Sequence, residues 1–318
     1  MPDVLLSMRH VKKYFETKSG LLHAVDDINL DIERGTTVGL VGESGCGKST
    51  LGRVALRLIE ATEGEILFDG QDIQRLDKEQ MRKARRRMQI VFQDPYASLD
   101  GRKNVYESIA EPLIVQKICR DKHELERRVN KLMETVGIAE RLANAYPHEL
   151  DGGRRQRVGV ARALALEPDF LVLDEPVSAL DVSIQAQVLN LLQELQKELG
   201  LTYLFISHDL SVVKHISDKI AVMYLGQIVE LADYKELFVN PMHPYTQALL
   251  SAVPLPTLKQ NREHIILEGD VPSPINPKPG CRFAGRCRYC REQCTKNTPE
   301  LREYYPGHLV ACDCAVCL

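Results

Sequence analysis

The loop at residues 42–50 restricts the fold of this chain more than any other stretch. An apolar segment, Thr36 to Val41, precedes the loop, and an apolar helical pattern follows it. The loop has the sequence GESGCGKST, which fits the pattern Gly-x-x-x-x-Gly-Lys-Ser/Thr in the strand-then-helix context that the pattern requires. An ordinary glycine-rich turn is the alternative, but a chance match of this length in this context is rare. The sequence therefore predicts a site for a nucleoside triphosphate.

The residue types of the loop explain why it would bind phosphate. Glycine lacks a Cβ atom, so Gly42, Gly45 and Gly47 allow backbone N–H groups to turn inward toward anionic oxygens. The helix that follows adds the positive end of its dipole. Lys48 is predicted to reach the β- and γ-phosphates of the nucleotide, and the Ser49 hydroxyl to bind Mg²⁺. The predicted nucleotide-binding residues of the loop are Gly42, Glu43, Ser44, Gly45, Cys46, Gly47, Lys48, Ser49 and Thr50.

Length and composition exclude several classes of protein. At 318 residues the chain exceeds one ordinary domain, so a main domain with an appendage is expected. The formal net charge of −3 argues against a protein that coats nucleic acid. No stretch approaches the roughly 20 apolar residues that span a bilayer, and the N-terminal residues lack the features of a secretory signal. We therefore expect a cytoplasmic chain that meets a membrane only through its partners.

The order of apolar segments predicts an α/β fold. Residues 4–35 are predicted to form antiparallel strands, and the continuous apolar runs at 170–173 and 202–206 are typical of buried parallel strands. An amphipathic helix lies between these runs and ends at Gly200. Strands and helices that alternate around a phosphate-binding loop predict a mainly parallel core. The region from about residue 98 to 165 is predicted to be a helical subdomain.

Polar residues follow the predicted strands. Asp174 and Glu175 come directly after the strand at 170–173, and His208 follows the strand at 202–206. An aspartate at a strand end can hold Mg²⁺ through its water shell, and a following glutamate can polarise an attacking water molecule. These positions are therefore candidates for metal binding and hydrolysis.

The motifs resemble, in order and spacing, those of the nucleotide-binding subunits of ABC transporters over about residues 4–235. The resemblance implies an ABC-type P-loop NTPase with a RecA-like, mainly parallel core, an antiparallel β subdomain and a helical subdomain. It implies Glu175 as catalytic base, helped by Gln93 and the switch residue His208. The implied motifs are a Walker A loop at 42–50, a Q-loop at Gln93, a signature at 150–154, a Walker B strand at 170–174 and a D-loop at 178–181 with Asp181. Mg²⁺ would bind through Ser49, Gln93 and Asp174.

The resemblance also implies a role for Tyr14 and a division of the chain. Tyr14 matches the aromatic residue that stacks on adenine, and the alternative is a strand aromatic that faces the core, since Phe15 is adjacent. Residues 1–235 would form the ATPase domain, residues 236–260 a connecting segment, and residues 261–318 a domain rich in cysteine and proline.

Three further stretches resemble the ATPases of oligopeptide and dipeptide importers, and the F-type subunit more than the D-type. They are FQDPYASL at 92–99, DEPVSALDVSIQ at 174–185 and HPYTQALL at 243–250. Nickel importers share these stretches, so import of nickel or another small solute is the alternative within the family. A soluble ABC ATPase that acts on DNA or ribosomes is a further alternative, but such proteins usually carry two cassettes or a long coiled coil.

The resemblance implies partners and a place in the cell. They are two transmembrane permease subunits, a paralogous ATPase subunit or a second copy, and, indirectly, an extracytoplasmic peptide-binding protein. No nucleic acid is expected as a partner. The chain would lie on the cytoplasmic face of the membrane, and closure of two ATPase subunits around ATP would drive the permeases.

The predicted signature departs from the family pattern Leu-Ser-Gly-Gly-Gln. It reads Leu150, Asp151, Gly152, Gly153, Arg154, and in the family this motif contacts the partner's ATP. Two unit charges about 5 Å apart repel by roughly 3 kcal/mol at an effective dielectric constant near 20. Asp151 would therefore weaken the ATP site that this signature completes. The alternative is that Asp151 is an ordinary helix N-cap whose charge Arg154 offsets.

Cysteines concentrate at the end of the chain. Seven of the nine lie between Cys281 and Cys317, and in a reducing compartment this density predicts metal binding rather than disulfides. Some importer ATPases carry a similar four-cysteine motif that holds a [4Fe–4S] cluster, which implies Cys281, Cys287, Cys294 and Cys312 as ligands. Zinc is the alternative, because Cys287/Cys290 and Cys314/Cys317 form the close pairs that zinc favours. A redox-sensing regulator, in which the cysteine domain gates the ATPase, is a further alternative that could coexist with a role in import.

Overall fold

The computed structural model of the protein describes residues 3–253 and 265–315. The strands are β1 (Val4–Thr17), β2 (Gly20–Glu33), β3 (Thr37–Val41), β4 (Glu63–Phe68), β5 (Gln71–Asp72), β6 (Met88–Val91), β7 (Phe170–Asp174), β8 (Thr202–Ser207), β9 (Lys219–Tyr224), β10 (Gln227–Asp233), β11 (Arg302–Tyr305) and β12 (His308–Val310). The α-helices are α1 (Lys48–Ala55), α2 (Lys78–Arg87), α3 (Pro95–Ser98), α4 (Val105–Val115), α5 (Lys122–Thr135), α6 (Gly152–Leu164), α7 (Val182–Leu199), α8 (Leu210–Ile216), α9 (Tyr234–Val239) and α10 (Pro244–Ser251).

The chain divides into two compact units. Of the described residues, the first unit holds Asp3, Glu33–Thr36 and Arg75–Ile206. The second unit holds Val4–Ile32, Thr37–Gln74 and the described residues from Ser207 onward. The second unit therefore contains the N-terminal strands, the phosphate-binding loop and the cysteine-rich segment.

The first unit is built on parallel strands and helices. Strand β7 lies between β6 and β8 and pairs with both in parallel. Every residue of β7 is buried, as its continuous apolar run predicted. Helix α7 ends at Gly200, which has a left-handed backbone with φ of 66°, and this confirms the predicted stop. The helices α3 to α6 confirm the prediction of a helical region before β7.

The second unit contains two sheets. One is antiparallel in the order β2-β1-β4-β5, which confirms the predicted antiparallel β subdomain. In the other, β3 pairs in parallel with β9, and β9 pairs in antiparallel fashion with β10. The fully buried strand β3 leads directly into the phosphate-binding loop, so this second sheet positions the loop.

The cysteine-rich segment contributes strands to the same sheet. The sequence predicted a separate domain rich in cysteine and proline at residues 261–318, yet β12 pairs with β10, and β11 pairs with β12. The carboxylate of Glu230, in β10, is fully buried and accepts hydrogen bonds from the backbone N–H groups of Met242 and His243 and from His308 Nε2, at 2.7, 3.0 and 2.7 Å. A buried carboxylate needs such partners, and here they tie three stretches of the chain together.

Candidate nucleotide-binding site

The phosphate-binding loop joins β3 to α1, and its shape requires glycine. Gly47 is the N-cap of α1 and has a φ of 107°, in the left-handed region. A Cβ atom at this position would lie 2.0 Å from the carbonyl oxygen of Ala24, so no other residue fits. Because Gly47 has no side chain to cap the helix, a bound anion can take the place of the capping group at the N-terminus of α1.

Lys48 places a positive charge inside the loop. Its side chain is buried, and Nζ donates hydrogen bonds to the carbonyl oxygens of Gly42 and Glu43 at 2.8 and 2.9 Å. The Cys46 sulfur lies 3.9 Å from the same nitrogen. Burial raises the pKa of the Cys46 thiol, which keeps the thiol neutral and leaves the charge of Lys48 available to a phosphate.

Gln93 and Glu175 are brought together in the first unit. They follow the neighbouring parallel strands β6 and β7, whose carboxyl ends share one edge of the sheet, and Gln93 Nε2 donates to Glu175 Oε2 at 2.8 Å. Asp174, the last residue of β7, is buried. Glu175 has a φ of 46°, a conformation that is costly for a residue with a Cβ atom and that is common at functional sites.

The other predicted site residues lie at helix starts or in strands. Asp181 caps α7 and accepts a hydrogen bond from the Ile184 N–H at 3.0 Å. His208 is exposed and follows β8, one residue before the N-cap of α8. Tyr14, in β1, is partly exposed, and its ring stacks on that of His23 with the centroids 3.9 Å apart. The Tyr14 hydroxyl donates to Asp26.

The predicted signature forms the start of helix α6. Asp151 is its N-cap, and Asp151 Oδ1 accepts a hydrogen bond from the Arg154 N–H at 2.7 Å. Arg154 Nη1 lies 3.4 Å from Asp151 Oδ2. The N-cap interpretation of Asp151 is therefore confirmed, and the guanidinium group of Arg154 offsets part of its charge.

Comparison with known protein families matches two parts of the chain. Residues 25–178 match the family described as ABC transporter. Residues 229–294 match the C-terminal region of oligopeptide/dipeptide transporters.

Full-length relatives agree with both matches. A putative peptide import ATP-binding protein of Brucella ovis is 54% identical over 308 residues, which cover 97% of each chain. The oligopeptide transport ATP-binding proteins AppF and OppF of Bacillus subtilis are both 52% identical, over 98% of this chain and 97% of theirs. The chain belongs to the ABC transporter family of ATPases. The resemblance to oligopeptide importer ATPases that the sequence indicated is confirmed.

Two solved structures of ABC transporter proteins share the fold of this ABC ATPase. The cassette MJ0796, in a dimeric post-hydrolysis state bound to ADP and Pi, superposes with a TM-score of 0.67 and 30% identity. That alignment covers 72% of this chain and 98% of the other. CbiO1 of Clostridium perfringens, part of the transporter complex cbiONQ, gives a TM-score of 0.67 and 32% identity over 74% of this chain and 91% of its own.

The described helices of the ABC ATPase include none that is both long and apolar enough to cross a membrane.

Six cysteines of the ABC ATPase line one cavity in the second unit. They are Cys281, Cys287, Cys290, Cys294, Cys312 and Cys314, so Cys290 and Cys314 join the four predicted cluster ligands. Burial raises the pKa of the Cys281 thiol to about 11 and that of Cys312 to about 12. Soft thiolates suit zinc or an iron–sulfur cluster. Even so, the described residues contain no group of three or more histidine, cysteine, aspartate or glutamate side chains arranged to hold a metal ion. Cys317 lies outside the described residues.

Two arginines connect this segment to the ATPase elements of the same unit. They lie in residues 281–287, a stretch called here the arginine strap, which begins and ends at cysteines of the cavity. Arg282 pairs with Asp26, the acceptor of the Tyr14 hydroxyl. Arg286 pairs with Glu43 of the phosphate-binding loop, with Nη1 2.9 Å from Oε2. The strap therefore contacts the phosphate-binding loop directly and shares Asp26 as a partner with Tyr14, the residue predicted to stack on adenine.

Sequence reasoning missed the strap and its neighbour Tyr245. Tyr245 is fully buried, and its hydroxyl accepts a hydrogen bond from the Glu43 N–H at 2.9 Å. Its ring packs against Tyr224 and Phe283, with centroids 4.7 and 5.5 Å apart. Two sequence signals were present: Arg286 is adjacent to Cys287, a predicted ligand, and Tyr245 lies in the stretch 243–250 that resembles importer ATPases.

Proposed function

We propose that this ABC ATPase hydrolyses ATP to drive the import of dipeptides or oligopeptides through a membrane transporter. The observation that carries the proposal is the similarity to peptide importer ATPases over nearly the whole chain, C-terminal region included. Import of nickel or another small solute by the same machinery is the alternative. A cassette that acts on DNA or ribosomes is disfavoured, because residues 229–294 match the C-terminal region of oligopeptide/dipeptide transporters.

Each residue of the predicted site has a role in this proposal. Lys48 and the N–H groups of the loop hold the β- and γ-phosphates. Ser49, Gln93 and Asp174 bind Mg²⁺, and Tyr14 stacks on adenine. Glu175 polarises the attacking water, and the hydrogen bond from Gln93 Nε2 orients its carboxylate. His208 acts as the switch histidine.

The partners follow from the proposed mechanism. Two ATPase subunits, this chain and a paralogue or a second copy, close around two ATP molecules, and Asp151, Gly152, Gly153 and Arg154 contact the ATP held by the other subunit. Two permease subunits respond to closure, an extracytoplasmic binding protein delivers the peptide, and the ATPase lies at the cytoplasmic face of the membrane. The dimeric cassette MJ0796 supports the dimeric part of this arrangement.

The decisive experiment uses the transporter reconstituted in proteoliposomes with labelled di- and tripeptides and with Ni²⁺. Wild-type complex should accumulate peptide only with Mg·ATP. Glu175→Gln should lower ATP hydrolysis by about 10²- to 10³-fold while ATP still binds, because only the base is removed. Normal turnover in Glu175→Gln would refute the role of Glu175, and ATP-dependent uptake of Ni²⁺ without peptide would favour the alternative cargo.

We also propose that the cysteine cavity holds a metal centre, either a [4Fe–4S] cluster on Cys281, Cys287, Cys294 and Cys312 or zinc. Six thiols on one cavity support the proposal, and a small proline-rich segment needs a crosslink of this kind. When bound, the centre would supply structural crosslinking. Iron and sulfide in anaerobically purified protein, together with a brown colour, would identify the cluster. Stoichiometric zinc in a colourless sample would identify zinc, and neither metal would refute the proposal.

A further inference from the structure

Arg286 makes a partly buried ion pair with the phosphate-binding loop. Its Nη1 lies 2.9 and 3.2 Å from the two carboxylate oxygens of Glu43, and Nη2 lies 3.3 Å from Oε1. The Arg286 side chain is only 9% exposed and that of Glu43 is 28% exposed. Because most of both side chains lies out of solvent, salt screens this pair less than it screens a fully exposed pair. Burial alone would lower the pKa of Arg286, and Glu43 instead raises that pKa above its usual range.

Glu43 is held by its backbone as well as by its carboxylate. The Glu43 N–H donates a hydrogen bond to the Tyr245 hydroxyl. The Tyr245 ring packs against the rings of Tyr224 and Phe283, which hold it in position. Arg286 Nη1 also lies 3.5 Å from the Tyr224 hydroxyl. The second residue of the loop is therefore fixed at two points by parts of the chain about 200 residues or more away.

The position of Glu43 determines that of the lysine. Lys48 Nζ donates to the carbonyl oxygens of Gly42 and Glu43. A shift of Glu43 moves one of these two oxygens and, with it, the ammonium group that is to meet the phosphates. Small displacements of a positioned charge cost affinity, since binding depends on a preorganised loop.

We propose that Arg286 is a positioning residue of the ATP site: it acts through Glu43 to hold the phosphate-binding loop in the shape that accepts the triphosphate. The cysteine-rich segment is thereby part of the nucleotide site and not only an appendage. This inference rests on the proposed role of residues 42–50 in binding ATP.

The test measures the dissociation constant of Mg·ATP for Arg286→Gln in the assembled transporter, and KM and kcat for hydrolysis. The expected result is binding about tenfold weaker than wild type, equivalent to about 1.4 kcal/mol, and a matching rise in KM. The kcat should stay within about twofold of the wild-type value, because at saturating ATP the bound nucleotide itself holds the loop in its binding shape. Arg286→Lys should recover part of the affinity, since it keeps the charge but not the two-pronged geometry.

Glu43→Gln provides a second variant should Arg286→Gln fail to assemble. It should weaken binding by a similar factor, and the double variant should lose no more than either single variant, because both act through one contact. Arg302→Gln is the matched control, because Arg302 belongs to the same segment, is 62% exposed and pairs with Glu300. The affinity of this variant for Mg·ATP should equal that of wild type.

Unchanged affinity in both Arg286→Gln and Glu43→Gln would overturn the inference, even if their melting temperatures fell. Fully additive losses in the double variant would also overturn it. These outcomes differ from failure of the proposed function, in which wild-type complex itself would not bind Mg·ATP.

Discussion

The helices α1 and α6 both begin at a motif predicted to meet phosphate, yet their N-termini differ. The N-cap of α1 is Gly47, which has no side chain. The N-cap of α6 is Asp151, whose carboxylate already accepts a hydrogen bond from the helix. The positive end of the α1 dipole can therefore bind an external anion such as phosphate. At α6 the carboxylate of Asp151 already occupies the corresponding position.

This difference teaches that a helix N-terminus binds a ligand well only where the chain does not supply the acceptor itself. In α1 the N-cap is a glycine with a left-handed backbone, at a position where any capping side chain would meet the Ala24 carbonyl. In α6 the cap stabilises the helix, and under the proposed role of the signature Asp151 would add negative charge where the γ-phosphate held by the other subunit approaches. Arg154, 3.4 Å from that carboxylate, reduces the repulsion but remains exposed to solvent screening.

Removing the positive charge of Lys48, at the start of α1, should have the largest effect on ATP binding. Lys48→Ala deletes the charge that the loop carbonyls hold in place, so Mg·ATP affinity should fall by about 100-fold or more, equivalent to about 3 kcal/mol. Equilibrium binding of a fluorescent ATP analogue measures the change. Lys83→Ala, at a lysine that is 67% exposed, is the control and should bind as wild type does. Retained affinity in Lys48→Ala would contradict the assignment of the loop.

Replacing Gly47, the N-cap of α1, by alanine should have the next largest effect on ATP binding. Gly47→Ala places a Cβ atom against the Ala24 carbonyl and strains the backbone, which should cost about 1–3 kcal/mol and weaken ATP binding by about tenfold or more. Isothermal titration and thermal unfolding measure the two losses.

Gly159→Ala is the control within α6. A Cβ atom there meets no atom within 4 Å, so alanine should raise stability by about 0.5–1 kcal/mol. If Gly47→Ala behaved in the same way, the loop would not need its left-handed glycine.

The smallest effect should come from removing the charge at the α6 cap. Asp151→Ser keeps a capping oxygen but removes the carboxylate, so ATPase activity of the reconstituted transporter should rise a few-fold, less than the unscreened repulsion would give. Asp121→Ser is the matched control, because Asp121 caps α5 by the same kind of hydrogen bond and should leave activity unchanged. No change in Asp151→Ser would leave the cap as the sole role of Asp151.

Local patterns predicted much of the fold. The buried strands β7 and β8, the stop of α7 at Gly200 and the cap at Asp151 all follow from residues that are neighbours in sequence, where periodicity and capping rules operate. The family motifs added candidate catalytic positions, and the contact between Gln93 and Glu175 agrees with their pairing in one site.

Long-range contacts were not predictable from one sequence. Arg286 and Glu43 are separated by 243 positions, and Tyr245 and Glu43 by 202. No periodicity links residues so far apart, and an arginine in a polar segment resembles any solvated charge. The strands β11 and β12 were missed for a related reason, because they are three or four residues long and depend on β10 for their pairing.

The pairing of β12 with β10 has a consequence for deletion studies. A chain shortened before residue 300 would lose β12, which pairs with one side of β10. The unpaired N–H and C=O groups of β10 could then pair with another chain and cause aggregation. The same cut would take away His308 and strip the buried Glu230 carboxylate of one of its donors. Aggregation of such a shortened chain would therefore say little about the cysteines, and replacing them one at a time is the cleaner way to learn what they do.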